Sequence, residues 1–165
     1  GLMPSSTDYA GFGAYEKQYE WLEDLLKNSS DFKKIIFIHQ PTLPKLSPIL
    51  NVERMNRLNE LFSRFKVKAV FSGHTEILYY ERMNGVNYYS IPGFYRSKYK
   101  KNNLNWFGSF SEIIIGRTIF VKLFYKETED GEYKTMMIPS EEYYSAKEKE
   151  RKAINAPKFE ESTDE

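Results

Sequence analysis

Between Tyr15 and Asn28 apolar residues recur at helical spacing, with Trp21, Leu22, Leu25 and Leu26 on one side and Glu16, Lys17, Glu20, Glu23 and Asp24 on the other. The pattern predicts an amphipathic helix, stopped by Asn28-Ser29-Ser30-Asp31. Lys33-Lys34-Ile35-Ile36-Phe37-Ile38 follows as a continuous apolar run behind two lysines, short enough for a strand and predicted to be buried on both faces. Pro41, Pro44 and Pro48 then impose extended or turn backbone, so His39 falls where the strand ends and a loop begins. A second helix fits Asn51 to Phe65, with Met55, Leu58, Leu61, Phe62 and Phe65 opposite Arg54, Asn56, Arg57, Asn59, Glu60 and Arg64. Val67 to Phe71 is the next strand, ended by Ser72-Gly73-His74.

Helix, strand, loop, helix, strand, loop is the alternation of a parallel α/β layer. After His74 the pattern becomes β-rich. Ile77 to Met83, Asn84-Gly85 and Val86 to Ile91 read as a hairpin, because Asn-Gly suits the left-handed dihedrals of a type I′ turn. A polar, aromatic-bearing loop runs from Gly93 to Gly108. Strands follow at Phe110 to Ile115, Thr118 to Tyr125 and Glu132 to Ile138. The expected fold class is therefore α/β (α+β overall), a mixed sheet with flanking helices and a β-rich C-terminal portion. The domain covers residues 1–139. Residues 140–165 form a charged tail with a solvated helix around Ala146 to Lys152 and an acidic end.

Composition narrows the chemistry. At 165 residues, with 24 Lys+Arg against 23 Asp+Glu, the chain is one domain of ordinary size with a net charge of +1. Folding at this length buries roughly 68–70% of the unfolded surface, enough for a core without staples. The absence of cysteine excludes disulfides, thiolate zinc sites, iron–sulfur clusters and a Cys nucleophile; it fits an exported and a cytoplasmic protein equally. Apolar runs fall far short of the roughly 20 residues that cross a bilayer, so no membrane partner is expected. Aromatic residues, 16% of the chain, read as strand packing at Tyr79-Tyr80, Tyr88-Tyr89 and Phe124-Tyr125.

Only two histidines are present, and both end a strand. In open α/β sheets ligands bind beyond the carboxyl ends of strands, so His39 and His74 lie where a site is expected. Gly73 permits close backbone approach, and in extended backbone Glu76 directs its carboxylate to the same side as His74. Imidazole with carboxylate suits Zn, Mn or Fe.

The order Gln18-x-x-Trp21-Leu22-x-x-Leu25-Leu26, an apolar strand into His39-x-Pro41, a helix, and a strand into Gly73-His74-x-Glu76 before an Asn84-Gly85 hairpin resembles the C-terminal half of calcineurin-like metallophosphoesterases. The resemblance spans roughly Leu2 to Pro92. It implies part of an αββα sandwich, hydrolysis of phosphate mono- or diesters at a two-metal centre of Mn, Fe or Zn, and His39 and His74 as metal ligands. Glu76 stands where the family has a second histidine. The family's Asp-x-His, Gly-Asp-x-x-Asp and Gly-Asn-His motifs are not in this sequence, and Leu2-Met3-Pro4-Ser5-Ser6 resembles the end of the strand that precedes the Gln-x-x-Trp-Leu helix. The resemblance therefore implies the C-terminal portion of a longer enzyme. A two-metal hydrolase needs four or more ligands per ion, so two imidazoles and one carboxylate leave this chain without turnover and with weak binding of one metal.

Substrate contacts in the intact enzyme fall to the loops Pro41 to Leu50 and Gly93 to Gly108, with Tyr95 and Arg96 as candidates for a phosphate or an aromatic group. The expected partners are a phosphorylated substrate and either the N-terminal half or a second copy, since a half-sandwich leaves apolar sheet and an open edge uncovered. A non-catalytic binding module is the alternative. The basic loop Arg96 to Lys101 with nearby aromatics has the ingredients of a nucleic-acid surface, but a net charge of +1 argues against that partner.

Overall fold

The computed structural model describes residues 16–46, 52–94, 107–116 and 118–138. They form two helices, α1 (Glu16–Asn28) and α2 (Val52–Arg64), and seven strands: β1 (Ile35–Ile38), β2 (Ala69–Ser72), β3 (Tyr79–Met83), β4 (Val86–Ser90), β5 (Gly108–Ile115), β6 (Ile119–Lys126) and β7 (Lys134–Ile138). The described residues are thus mixed α/β, with two helices and two sheets. The first sheet has the order β1-β2-β4-β3 and the second β5-β6-β7. β1, β2 and β4 are parallel neighbours, with Ile36 beside Val70 and Val70 beside Tyr88; β3 pairs antiparallel with β4. The second sheet is an antiparallel meander. The charged tail, the N-terminal segment before α1, Tyr95 and Arg96 lie outside the described residues.

Side chains alternate across the first sheet as the two-residue strand period requires. One face (Val70, Val86 and Tyr88, with Ile36 and Ile38 half-buried) packs against α1 and α2. The other (Ala69, Phe71, Tyr80 and Tyr89) packs against Val121, Leu123 and Ile138 of the second sheet. The described residues thus stack as helices, sheet, sheet. Val121, Leu123 and Ile138 are at most 1% exposed; at about 1.5–3 kcal/mol per fully buried aliphatic side chain, these residues and the rings opposite hold the two sheets together.

Two expectations about burial are corrected. The buried stripe of α1 is Tyr19, Leu22 and Leu26, whereas Trp21 and Leu25 are 58% and 47% exposed. The flank next to this stripe faces the neighbouring helix, where Glu16 pairs with Arg57 and Glu23 with Arg64, both on α2. At about 100° per residue, Leu25 lies about a quarter turn round from the buried stripe, on the flank opposite those glutamates and away from α2. β1 is not buried on both faces either. Among the described residues it is the outer strand of its sheet, and the Phe37 ring is 68% exposed although stacked on Phe71 at 5.2 Å.

Chain reversals use the dihedrals the sequence allows. Asn84 (φ 50°) and Gly85 (φ 81°) make the β3–β4 turn left-handed, as expected for Asn-Gly. α2 ends with Lys66 in the left-handed region (φ 54°), the Lys66 N–H donating to Ser63 O at 3.0 Å and the Val67 N–H to Phe62 O at 2.9 Å. That is the usual helix-ending bond pair, with a lysine where glycine is preferred.

Candidate functional site

β1 and β2 run parallel and in register to Ile38 and Ser72, so the residues that follow them emerge side by side at the carboxyl end of the sheet. The Gly73 N–H donates to the His39 carbonyl at 3.0 Å and ties the two strand ends together. The imidazoles meet above that bond, Nδ1 of His74 standing 3.1 Å from Nε2 of His39 with the rings edge to face. One nitrogen donates and the other accepts, so the tautomers of the two rings are coupled. The chain's only two histidines are in direct contact, although 35 residues separate them.

The loop after β2 shapes the rest of the site. β3 lies beyond β4, so the chain leaving β2 crosses the end of β4 before descending antiparallel. The crossing bends sharply at His74 (φ 64°) and Glu76 (φ 50°), conformations with a steric cost in any residue bearing a Cβ. It is fastened by the Thr75 and Ser90 hydroxyls at 3.0 Å and by the Ile91 N–H donating to Ser72 O at 2.8 Å. The extended backbone expected between His74 and Glu76 is therefore replaced by two left-handed residues. Glu76 lies across Gly93, where a Cβ would come within 3.0 Å of its Cδ. Close approach is thus the role of Gly93. A Cβ at Gly73 would meet only ordinary contact, 3.9 Å from the His39 carbonyl.

The loop after β1 is held from the helix side. Asn59 of α2, 5% exposed, donates from Nδ2 to the Thr42 carbonyl at 2.8 Å. Lys45 forms an ion pair with Glu81 of β3. Burial works to lower the Lys45 pKa, but its hydrogen bonds to Glu81 and Tyr79 outweigh that and raise it.

His39, His74 and Glu76 all line a cleft of about 840 Å³ that opens between the two sheets, its apolar wall formed by Phe37, Phe71, Ile91 and Ile113. Two nitrogens on one ion at about 2.0–2.1 Å stand about 2.8–3.4 Å apart for right-angled to tetrahedral geometry. The observed 3.1 Å matches that bite. Among the described residues no three His, Cys, Asp or Glu side chains stand together as a metal-holding group; Glu76 lines the same cleft as the imidazoles. The donor set fits part of the coordination of one ion. Sequence reasoning did not pick out Asn59 or Thr75 as supports; no motif marks them, and only the fold brings their partners near. No known protein family's sequence profile matches the chain, and no curated protein matches it.

Proposed function

We propose that this chain carries part of the metal centre of a phosphate-ester hydrolase, as the C-terminal portion of a calcineurin-like metallophosphoesterase of αββα architecture acting on phosphate mono- or diesters. The observation that carries the reading is the contact of His74 Nδ1 with His39 Nε2 at 3.1 Å, at the carboxyl ends of two adjacent parallel strands. His39 and His74 would hold a divalent Mn, Fe or Zn ion, with Glu76 beside them. Such an ion supplies a Lewis acid for the phosphate oxygens. The rest belongs to this chain's own residues. The Gly73–His39 backbone bond fixes the separation of the imidazoles, and the Thr75–Ser90 contact holds the crossing loop so that His74 keeps its aim. Gly93 leaves room for Glu76, and the apolar wall of Phe37, Phe71 and Ile113 limits water on one side of the cleft.

With two imidazoles and one carboxylate the chain by itself falls short of a two-metal set, and no turnover is expected from it. p-Nitrophenyl phosphate and its bis ester, assayed with Mn²⁺, test this: release of nitrophenol that disappears in His74→Ala contradicts it. The enzyme reading itself is tested on the residues encoded upstream of Leu2, where Asp-x-His and Gly-Asn-His motifs support it and their absence opposes it. One observation favours a second reading, a non-catalytic relative serving as a binding module: Glu76 stands where the resemblance expects a second histidine. Upstream sequence without the carboxylate motifs selects that reading.

A further inference from the structure

We infer that the outer face of the second sheet docks a second copy of this chain, the two sheets meeting face to face about a two-fold axis that runs along the strands between β5 and β6. The inference goes beyond the hydrolase reading and does not depend on it. The inner face of this sheet, with Val121, Leu123 and Ile138, is buried against the first sheet. The side chains that alternate to the outer face are Phe110, Glu112 and Ile114 on β5, and Phe120, Lys122 and Phe124 on β6. Phe110, Ile114 and Phe120 are 43%, 42% and 44% exposed. An antiparallel sheet with one buried face ordinarily turns polar residues to water on the other. Large apolar side chains gathered on an open face mark an interaction surface instead. α1 and α2 both pack on the first sheet, so neither covers this face.

The strand register selects the occupant. Phe110 pairs with Phe124, Glu112 with Lys122 and Ile114 with Phe120. A pair of opposite charges thus stands between two apolar pairs. A two-fold axis along the strands lays β5 of each copy over β6 of the other at the same level, and every contact occurs twice. Phe110 then meets the second copy's Phe124, Ile114 its Phe120 and Glu112 its Lys122, so that four charges form a square with opposite signs along every edge. Both charges are open to this pairing. Among the described residues no ion pair uses Glu112 or Lys122, and the Lys122 ammonium lies over the Phe124 ring, 4.9 Å from its centre. A nucleic acid would meet Glu112 at the middle of the face, and a lipid surface would strip water from both charges without replacing it. A second copy carries the same pair in reversed order and satisfies both. The face is small: eight-residue strands about 26 Å long and about 4.8 Å apart leave a footprint well under the roughly 800 Å² per partner of a standard interface. The dimer is therefore expected to be weak, forming in the micromolar to millimolar range.

Sedimentation equilibrium of the 165-residue chain, from low micromolar to near-millimolar concentration, should show the mass rising from one copy towards two. In a mixed sample of differently labelled molecules, NMR contacts between copies are expected from Phe110 to Phe124 and from Ile114 to Phe120. Glu112→Lys and Lys122→Glu should each weaken association about tenfold or more, by setting like charges face to face, and the double exchange should restore it. Urea unfolding in dilute solution separates loss of association from loss of fold. The inference is overturned by a chain that stays monomeric throughout, by association that ignores the single exchanges or is not restored by the double one, or by contacts between copies that fall elsewhere, such as the edge of β1. Contacts onto Phe110 and Phe120 that arise within one molecule from residues 140–165 overturn it too, since the tail is then the occupant. Should a variant fail to fold, the contacts between wild-type copies still decide. The response of His39 and His74 to added metal is a separate readout, so failure here leaves the hydrolase proposal where it stood.

Discussion

The loop that follows His39 hangs on one buried side chain. Asn59 Nδ2 donates to the Thr42 carbonyl at 2.8 Å, both residues being almost wholly buried, while Asn59 Oδ1 has no partner among the described residues. Replacing Asn59 by leucine removes the donor and strands the carbonyl, which costs about 1–3 kcal/mol; it also removes the unpartnered oxygen, which offsets about 1 kcal/mol. The expected net loss is up to about 2 kcal/mol, a fall in Tm of up to about 8 °C at this chain length. Asn59→Asp should be worse at pH 7, by about 3 kcal/mol or more, because a buried carboxylate would face a carbonyl oxygen. Its protonated form can donate to Thr42, so the native state would keep the proton to higher pH than the unfolded chain does. Stability of that variant should then be recovered below about pH 4 and lost progressively as pH rises above it. Urea unfolding followed by tryptophan fluorescence reads all three proteins. The reasoning is refuted if Asn59→Leu matches the wild type and Asn59→Asp is no less stable than Asn59→Leu at pH 7.

Lys66→Gly should stabilise the protein by up to about 1 kcal/mol, since Lys66 holds φ 54° at the end of α2 and glycine bears no steric cost there; a lower urea midpoint would contradict this. Leu123→Ala, fully buried between the sheets, should cost about 2–5 kcal/mol, checked by the same titration. Burial holds the Tyr88 phenol well above its ordinary pKa. The unfolded chain therefore releases that proton first, and Tyr88 should contribute a fall in stability of about 1.4 kcal/mol per pH unit above about pH 10, a share of the slope that Tyr88→Phe should take out of the alkaline unfolding profile.

Element positions were legible in the sequence because each rests on a local signal: the apolar run Ile35–Ile38, the Asn84-Gly85 pair and the helical spacing of Met55, Leu58 and Phe62 all mark what the structure holds. Which side of each element is buried was legible only in part. Trp21 and Leu25 belong to the apolar arc of α1, but Tyr19 takes the interior with Leu22 and Leu26, while Glu16 and Glu23 on the adjoining flank pair with α2. Phe37 reads as core because its neighbours are apolar, and only the strand order shows β1 as an edge among the described residues. At the site, both histidines were found from their place after strands. The path of Glu76 was not, since the left-handed bends at His74 and Glu76 arise from the chain having to cross the end of β4, a demand of topology with no glycine to announce it. Gly93 matters for the same reason: it faces a side chain 17 positions earlier in the sequence.

The central claim is that His39 and His74 act together as ligands to one ion. The most direct measurement is titration of the ¹⁵N-histidine-labelled chain with Zn²⁺, following both imidazoles by NMR at neutral pH. The account predicts that nitrogens of both rings shift together as one equivalent is added, and that His74→Ala abolishes the response of His39 at the same metal concentration. Imidazole signals that ignore the metal, or a His39 response that survives His74→Ala unchanged, would contradict it.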